Sequence, residues 1–324
     1  VTNTTAIPLA SEADPYHLSA SRAFYAGQEK NPLTRHIPLD MRSRTKQFLR
    51  ILRDPVPFIT RRRALERFGS KAPIVSIPEA GVRRIALSSL PGGVELVEHW
   101  VPKAEAKKLQ VYARYGADGD YPAELFDLEE IASEPLIMNF ALSEQMLTLV
   151  GRYLGSAPFL HSAAIWLGRK GQAHTGSPWF HFDSQNWGNV RIYLYLSDVD
   201  ATAGPFALID RQRSFEFMRK TGYLGNALQD EEVFEHVDPS TVRLLLGSKG
   251  SCFAIDTTRC LHYGSRCTEK DRLALILCYD TYYASEDAYA FTRHIPKSSS
   301  DAPLRRLATY HMWDRRAHRS NFYA

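Results

Sequence analysis

Phe180-His-Phe-Asp183, followed after a short connection by Val190-Arg-Ile-Tyr-Leu-Tyr-Leu-Ser197, is the stretch on which the fold of this 324-residue chain turns. The second segment is an alternating, aromatic-rich strand. In a strand, residues i and i+2 face the same side. His181 and Asp183 can therefore hold one ion side by side while Phe182 turns away into packing. A third ligand must come from another strand. His262 is the natural candidate, within Gly250-Ser-Cys-Phe-Ala-Ile-Asp-Thr-Thr-Arg-Cys-Leu-His-Tyr-Gly264. Two imidazoles and one carboxylate with open positions opposite them favour ferrous iron and oxygen chemistry. Zinc accepts the same donors, so a non-redox metal site is the alternative.

Outward from this stretch, the pattern is of many short strands separated by turn signals. They are expected at 158–167, 179–183, 190–197, 206–210, 241–246, 251–256 and 272–281. Helices precede them, at 40–53, 60–68, 103–115 and 135–155, with 94–100 expected as a strand. The segment 211–239 reads as an insertion with helical stretches at 215–220 and 230–234, expected to close over a substrate. A further helix is expected to begin at Pro303. The fold class is mainly β with a helical front layer on a jelly-roll core. Residues 1–85 read as a partly helical, basic N-terminal extension. Residues 86–324 read as the main domain, with a polar, aromatic tail from about 287.

Composition is that of an ordinary globular protein, 44% hydrophobic and 23% charged, with a net charge of +4. Between Arg35 and Arg67 there are ten Lys/Arg against three Asp/Glu. That excess reads either as a solvated helical face or as a peripheral contact with an anionic surface, in which Arg61 to Arg63 would take part. It matches no nucleic-acid recognition motif. The four cysteines form no CxxC pair and suit buried thiols in a reducing compartment, so a cytoplasmic location is expected. There is no run of eighteen apolar residues and no charged-then-apolar leader pattern. Oligomeric state is not legible.

A second functional element is an anion clamp. Arg272 opens Arg-Leu-Ala-Leu-Ile-Leu277, a strand otherwise too apolar to face water. A guanidinium there can pair bidentately with a carboxylate. Arg266 is the rival clamp. Arg191, Tyr193 and Tyr195 share one face of their strand and are candidates to touch a co-substrate, although alternation alone leaves open which face points inward. Asp256 is expected to orient a ligand imidazole. Trp179, Gln185, Asn186 and Trp187 flank the HxD pair and are candidates to line a substrate pocket.

Taken together, Phe180-His-Phe-Asp183, Tyr193-Leu-Tyr-Leu-Ser-Asp-Val-Asp200, Gly204-Pro-Phe206, Phe253-Ala-Ile-Asp-Thr257, His262-Tyr-Gly264 and Arg272 resemble the phytanoyl-CoA dioxygenase-like branch of the iron(II)/2-oxoglutarate-dependent oxygenases. The resemblance spans roughly residues 94 to 284. It implies a double-stranded β-helix (cupin-like) core, Fe(II) held by His181, Asp183 and His262, and Arg272 on the distal carboxylate of 2-oxoglutarate. Thr257 joins Tyr193 and Arg266 as a co-substrate-binding candidate. It further implies consumption of O2, release of succinate and CO2, and hydroxylation of a small-molecule or lipid/sugar-linked substrate. Asp183 is retained, whereas related halogenases lack that carboxylate. The chain departs from the family after Gly204-Pro205, where Phe-Ala-Leu-Ile-Asp-Arg-Gln-Arg-Ser214 stands in place of a strand ending in Pro-Gly-Ser-His. A metal-dependent isomerase or hydrolase, or a silent binding module on the same fold, are the alternatives.

Overall fold

The computed structural model describes residues 37, 39–71, 76–116, 124–171, 179–183, 188–264, 266–281, 291–297 and 302–309. The N-terminal arm up to residue 36 and the tail beyond 309 lie outside the described residues. Among the described residues, eight strands form two antiparallel sheets. The long sheet has the order β1-β6-β3-β8-β2, from β1 (Val82–Ile85), β6 (Cys252–Ile255), β3 (Asn189–Tyr195), β8 (Arg272–Asp280) and β2 (Phe159–Gly168). The short sheet has the order β5-β4-β7, from β5 (Arg243–Leu244), β4 (Ala207–Leu208) and β7 (His262–Tyr263).

Alternation on the central strands decides the layering. Val190, Ile192 and Leu194 of β3, with Leu273, Leu275 and Leu277 of β8, pack against helices α3 (Gly93–Tyr115), α5 (Pro135–Ala141) and α6 (Glu144–Leu154). Each of these leucines is fully buried and contributes about 1.5–3 kcal/mol. The Tyr279 hydroxyl donates to the Ala141 carbonyl at 2.7 Å and ties α5 to the same face. The opposite face carries Arg191, Tyr193 and Tyr195 in register with Cys278, Ile276 and Ala274. Tyr193, Tyr195, Ala274 and Ile276 meet Phe206 and Leu208 of the short sheet. The face left open by alternation is thus the one turned into the space between the sheets.

Behind the short sheet lie α7 (Arg211–Thr221) and α8 (Asp230–Phe234). Phe217, Met218 and Val233 pack there on Phe180, Phe182, Leu261 and Tyr263. The segment expected to act as a lid is therefore a packed cover on the back of the short sheet. Helices α1 (Leu39–Arg53), α2 (Pro55–Phe68), α4 (Leu128–Ser133) and α9 (Pro303–Thr309) complete the described fold.

Three local expectations are corrected. Residues 94–100 are the start of α3, because Leu96, Trp100 and Ala104 recur every four residues and are all buried. The helix continues through Pro102. The segment expected as one helix over 135–155 is two. Ser143 caps the second by accepting from the Met146 N–H, a bond available only where the backbone has left the helix. Arg61 is also not a surface contact residue. It is 1% exposed and donates to the carbonyls of Ala157 (3.0 Å), Pro158 (2.9 Å) and Leu307 (2.8 Å), joining α2 to β2 and α9. All four cysteines are free. No helix among the described residues is long and apolar enough to cross a membrane.

Candidate metal centre

The short sheet is extended by a single bridge between His181 and His262. The two residues exchange both backbone bonds, His181 N–H to the His262 carbonyl at 2.9 Å and the reverse at 3.0 Å. Residues directly opposite in an antiparallel pair point to the same face with Cβ atoms about 5 Å apart. The two rings accordingly lie with centroids 4.3 Å apart. Asp183, two residues along from His181, falls on the same side. Its Oδ1 is 3.9 Å from Nε2 of each histidine. Among the described residues these three form the one group of metal-ligating atoms lying within 4.8 Å of one another.

Local hydrogen bonds fix which nitrogen faces the centre. His181 Nδ1 lies 2.7 Å from the Trp179 carbonyl, and His262 Nδ1 lies 2.9 Å from the Cys260 carbonyl. A carbonyl only accepts, so each Nδ1 carries the proton and each Nε2 presents a lone pair. Burial lowers the pKa of both rings, against the pull of Asp183. For His262 it falls to about 3, with His181 adding to the effect. Both imidazoles are therefore neutral near pH 7, as metal ligation requires. Burial pushes the Asp183 carboxyl upward, but the Arg191 guanidinium foremost, with a hydrogen bond from Thr257, holds it below the usual carboxylate range. Its Oδ2 is ion-paired with Arg191 at 2.7 Å, which leaves Oδ1 toward the histidines.

A buried chain supports the carboxylate. The Asp183 N–H donates to the Thr257 carbonyl at 3.0 Å. The Thr257 hydroxyl is within reach of both the Asp183 carboxylate and the Asn189 side-chain oxygen (3.0 Å), and its one proton serves one at a time. Asn189 in turn donates to Asp280 at 2.7 Å, and Asp280 contacts His161 at 2.6 Å. Phe206 stacks on His262 at 5.1 Å between ring centroids. Asn189 and Asp280 did not stand out in the sequence, and Phe206 stood out only within Gly204-Pro-Phe206, not as a neighbour of His262. Only the β3–β8 pairing brings Asn189 opposite Asp280.

The remaining candidates divide. Arg272 is 2% exposed, donates to the Gly204 carbonyl, and lies against Gly264, two residues past His262. Tyr193 and Tyr195 share its electrostatic environment. Arg266 points to the other side of the short sheet. It makes a bidentate pair with Asp230 (2.7 and 2.6 Å) and stacks on Tyr263. Trp179 is half-buried, and its carbonyl rather than its ring is the group seen to act on His181. Gln185, Asn186 and Trp187 lie outside the described residues. Asp256 does not orient an imidazole. It accepts from the Tyr153 hydroxyl at 2.6 Å and pairs with Arg259 at 2.8 Å, while backbone carbonyls do the orienting.

No family model matches the chain, and no curated protein matches it. Solved structures similar to it include AviO1 from Streptomyces viridochromogenes, at 16% identity over 69% of this chain and 96% of that one, with a TM-score of 0.41. HygX from Streptomyces hygroscopicus, with nickel and 2-oxoglutarate bound, aligns at 16% identity over 66% of this chain and 90% of its own, with a TM-score of 0.44. EctD from S. alaskensis, with 2-oxoglutarate and 5-hydroxyectoine, aligns at 13% identity over 71% and 84%, with a TM-score of 0.46.

Proposed function

We propose that this protein is an iron(II)/2-oxoglutarate-dependent dioxygenase of the phytanoyl-CoA dioxygenase-like kind, built on a double-stranded β-helix core. It hydroxylates a small-molecule or lipid/sugar-linked substrate. The observation that carries this reading is a neutral imidazole pair and one carboxylate oxygen converging on a single point, with a buried guanidinium, Arg272, between the same two sheets. The donor set fits ferrous iron. Both histidines offer Nε2, the aspartate offers one oxygen, and no fourth protein ligand closes the group among the described residues.

Iron bound there would supply the activation of O2 that couples decarboxylation of 2-oxoglutarate to oxidation of a C–H bond. One oxygen atom goes to succinate and one to the hydroxylated product. The chain's own residues prepare that chemistry. The Trp179 and Cys260 carbonyls hold the imidazoles in the ligating tautomer. Arg191 keeps Asp183 ionised and takes up its outer oxygen. Arg272 offers a desolvated cation for the distal carboxylate of 2-oxoglutarate, while Tyr193 and Phe206 wall the space beside it. Thr257 steadies Asp183 from behind. Arg266 is held by Asp230 on the other face, which favours Arg272 as the clamp.

The test is succinate release from 2-oxoglutarate with ferrous iron and O2, screened against candidate substrates by mass spectrometry for a gain of one oxygen. Asp183→Ala is expected to abolish it. Turnover that persists in Asp183→Ala, or that does not require iron, rejects the proposal.

A further inference from the structure

Behind the metal-bearing sheet lies a cleft of about 700 Å³, bounded by α1, α7, β5 and the turn before β1. Arg44, Arg211, Arg213, Arg243 and Arg259 line it, with Glu79 and Asp210 the carboxylates. This volume is within the range of small-molecule sites. None of these residues is a metal candidate. Phe217 and Met218 of α7 pack on Phe180, Phe182 and Leu261, the neighbours of the metal-ligand candidates that alternate to the opposite face. The cleft is therefore a separate site.

Its charge is not internally neutralised. Asp210 is taken by Arg213 and by the Arg213 N–H. Arg259 is taken by Asp256 at 2.8 Å. Arg211 and Arg243 make no ion pair among the described residues, although both face the cleft. Arg44 lies over the Phe215 ring at 5.4 Å, so the cationic wall continues into an apolar floor of Phe215 and Met218. Guanidiniums present a planar fork of donors that matches phosphate oxygens, and several around one cleft suit a dianion rather than a single carboxylate.

We propose that this cleft is a phosphate-binding site that takes a phosphomonoester or diphosphate group through Arg211 and Arg243. The phosphate is either that of a soluble small molecule or that of a lipid. The lipid source is worth an arm of its own because α1 exposes Phe48, Leu49 and Leu52 and also supplies Arg44.

The probes are inorganic pyrophosphate, titrated calorimetrically into the full chain, and phosphatidylcholine vesicles with and without phosphatidic acid, tested by co-sedimentation. Pyrophosphate is expected to saturate one site per chain. The double variant Arg211→Gln/Arg243→Gln should raise its Kd at least about tenfold. Both side chains are partly or fully exposed, so the fold, followed by circular dichroism, and ferrous-iron binding should be retained. Arg62→Gln, an exposed arginine of α2 that does not line the cleft, should leave the Kd unchanged. Sedimentation only with phosphatidic acid, lost in the double variant, assigns the phosphate to a lipid. Pyrophosphate binding without sedimentation assigns it to a soluble ligand. No saturable binding of either probe, or an equal loss in Arg62→Gln, overturns the proposal.

Discussion

Replacing Arg272 by alanine is the sharpest perturbation of the proposed co-substrate site. The guanidinium is 2% exposed and anchored on the Gly204 carbonyl, and its surroundings are Tyr193, Tyr195, Phe206 and Gly264. A carboxylate bound there would be desolvated on all sides and would depend on this cation. Removing one partner of a buried charged pair costs about 3–5 kcal/mol. Water entering the vacated volume repays part of this, so the lower end, about 3 kcal/mol, is expected. At 1.4 kcal/mol per factor of ten, that is a rise of about a hundredfold in the apparent KM for 2-oxoglutarate. Ferrous-iron affinity should change little, because Arg272 is anchored on the Gly204 carbonyl and is not one of the three candidate ligands. The assay is succinate release as a function of 2-oxoglutarate, with iron binding measured separately by calorimetry. Arg272→Lys, which keeps the charge but not the fork, should fall between the two and shows that loss of charge, not loss of fold, is being read. A KM for 2-oxoglutarate in the alanine variant within about threefold of the parent, which is under 1 kcal/mol, would refute the assignment of this arginine.

Three other outcomes are expected. His262→Ala should abolish stoichiometric ferrous-iron retention, measured by metal analysis after gel filtration, while the circular dichroism spectrum remains that of the folded chain. Thr257→Val keeps the shape but removes the hydroxyl beside Asp183, and should weaken iron binding by about tenfold, as such supporting groups do. Unchanged affinity would mean that Arg191 alone holds the carboxylate. Arg61→Met removes three buried donor contacts and should cost about 3 kcal/mol. That lowers the thermal unfolding midpoint by roughly 6–12 °C, read by scanning calorimetry, with no direct effect on the metal centre.

Local patterns were legible where a single period governed them. β2, β3, β6 and β8 lie within a residue or two of where alternation put them; α8 (Asp230–Phe234) matches the helical stretch expected at 230–234, while α7 (Arg211–Thr221) starts four residues before the stretch expected at 215–220. Residues 94–100 misled because a few apolar residues two apart also fit a helix. Only the extension through Trp100 and Ala104, buried on one side of α3, decides between the two. The interruption at Ser143 was hidden because the apolar stripe runs through it on both sides.

The amino-acid sequence by itself nominated the three residues of the candidate centre. Extended backbone has a period of two, which lets His181 and Asp183 share a face even though the strand expected over 179–183 is reduced to isolated bridges at Phe180 and His181. Tertiary structure alone decided the rest. It made His262 the antiparallel partner of His181, turned Arg191 and Tyr193 inward, and sent Arg266 to Asp230 on the far side of the sheet. It gave the orienting role to the carbonyls of Trp179 and Cys260, which no side-chain identity encodes. The physical reason is that pairing and facing are set by which sheet closes on which. That is a property of the summed burial of the whole chain, not of any residue within it.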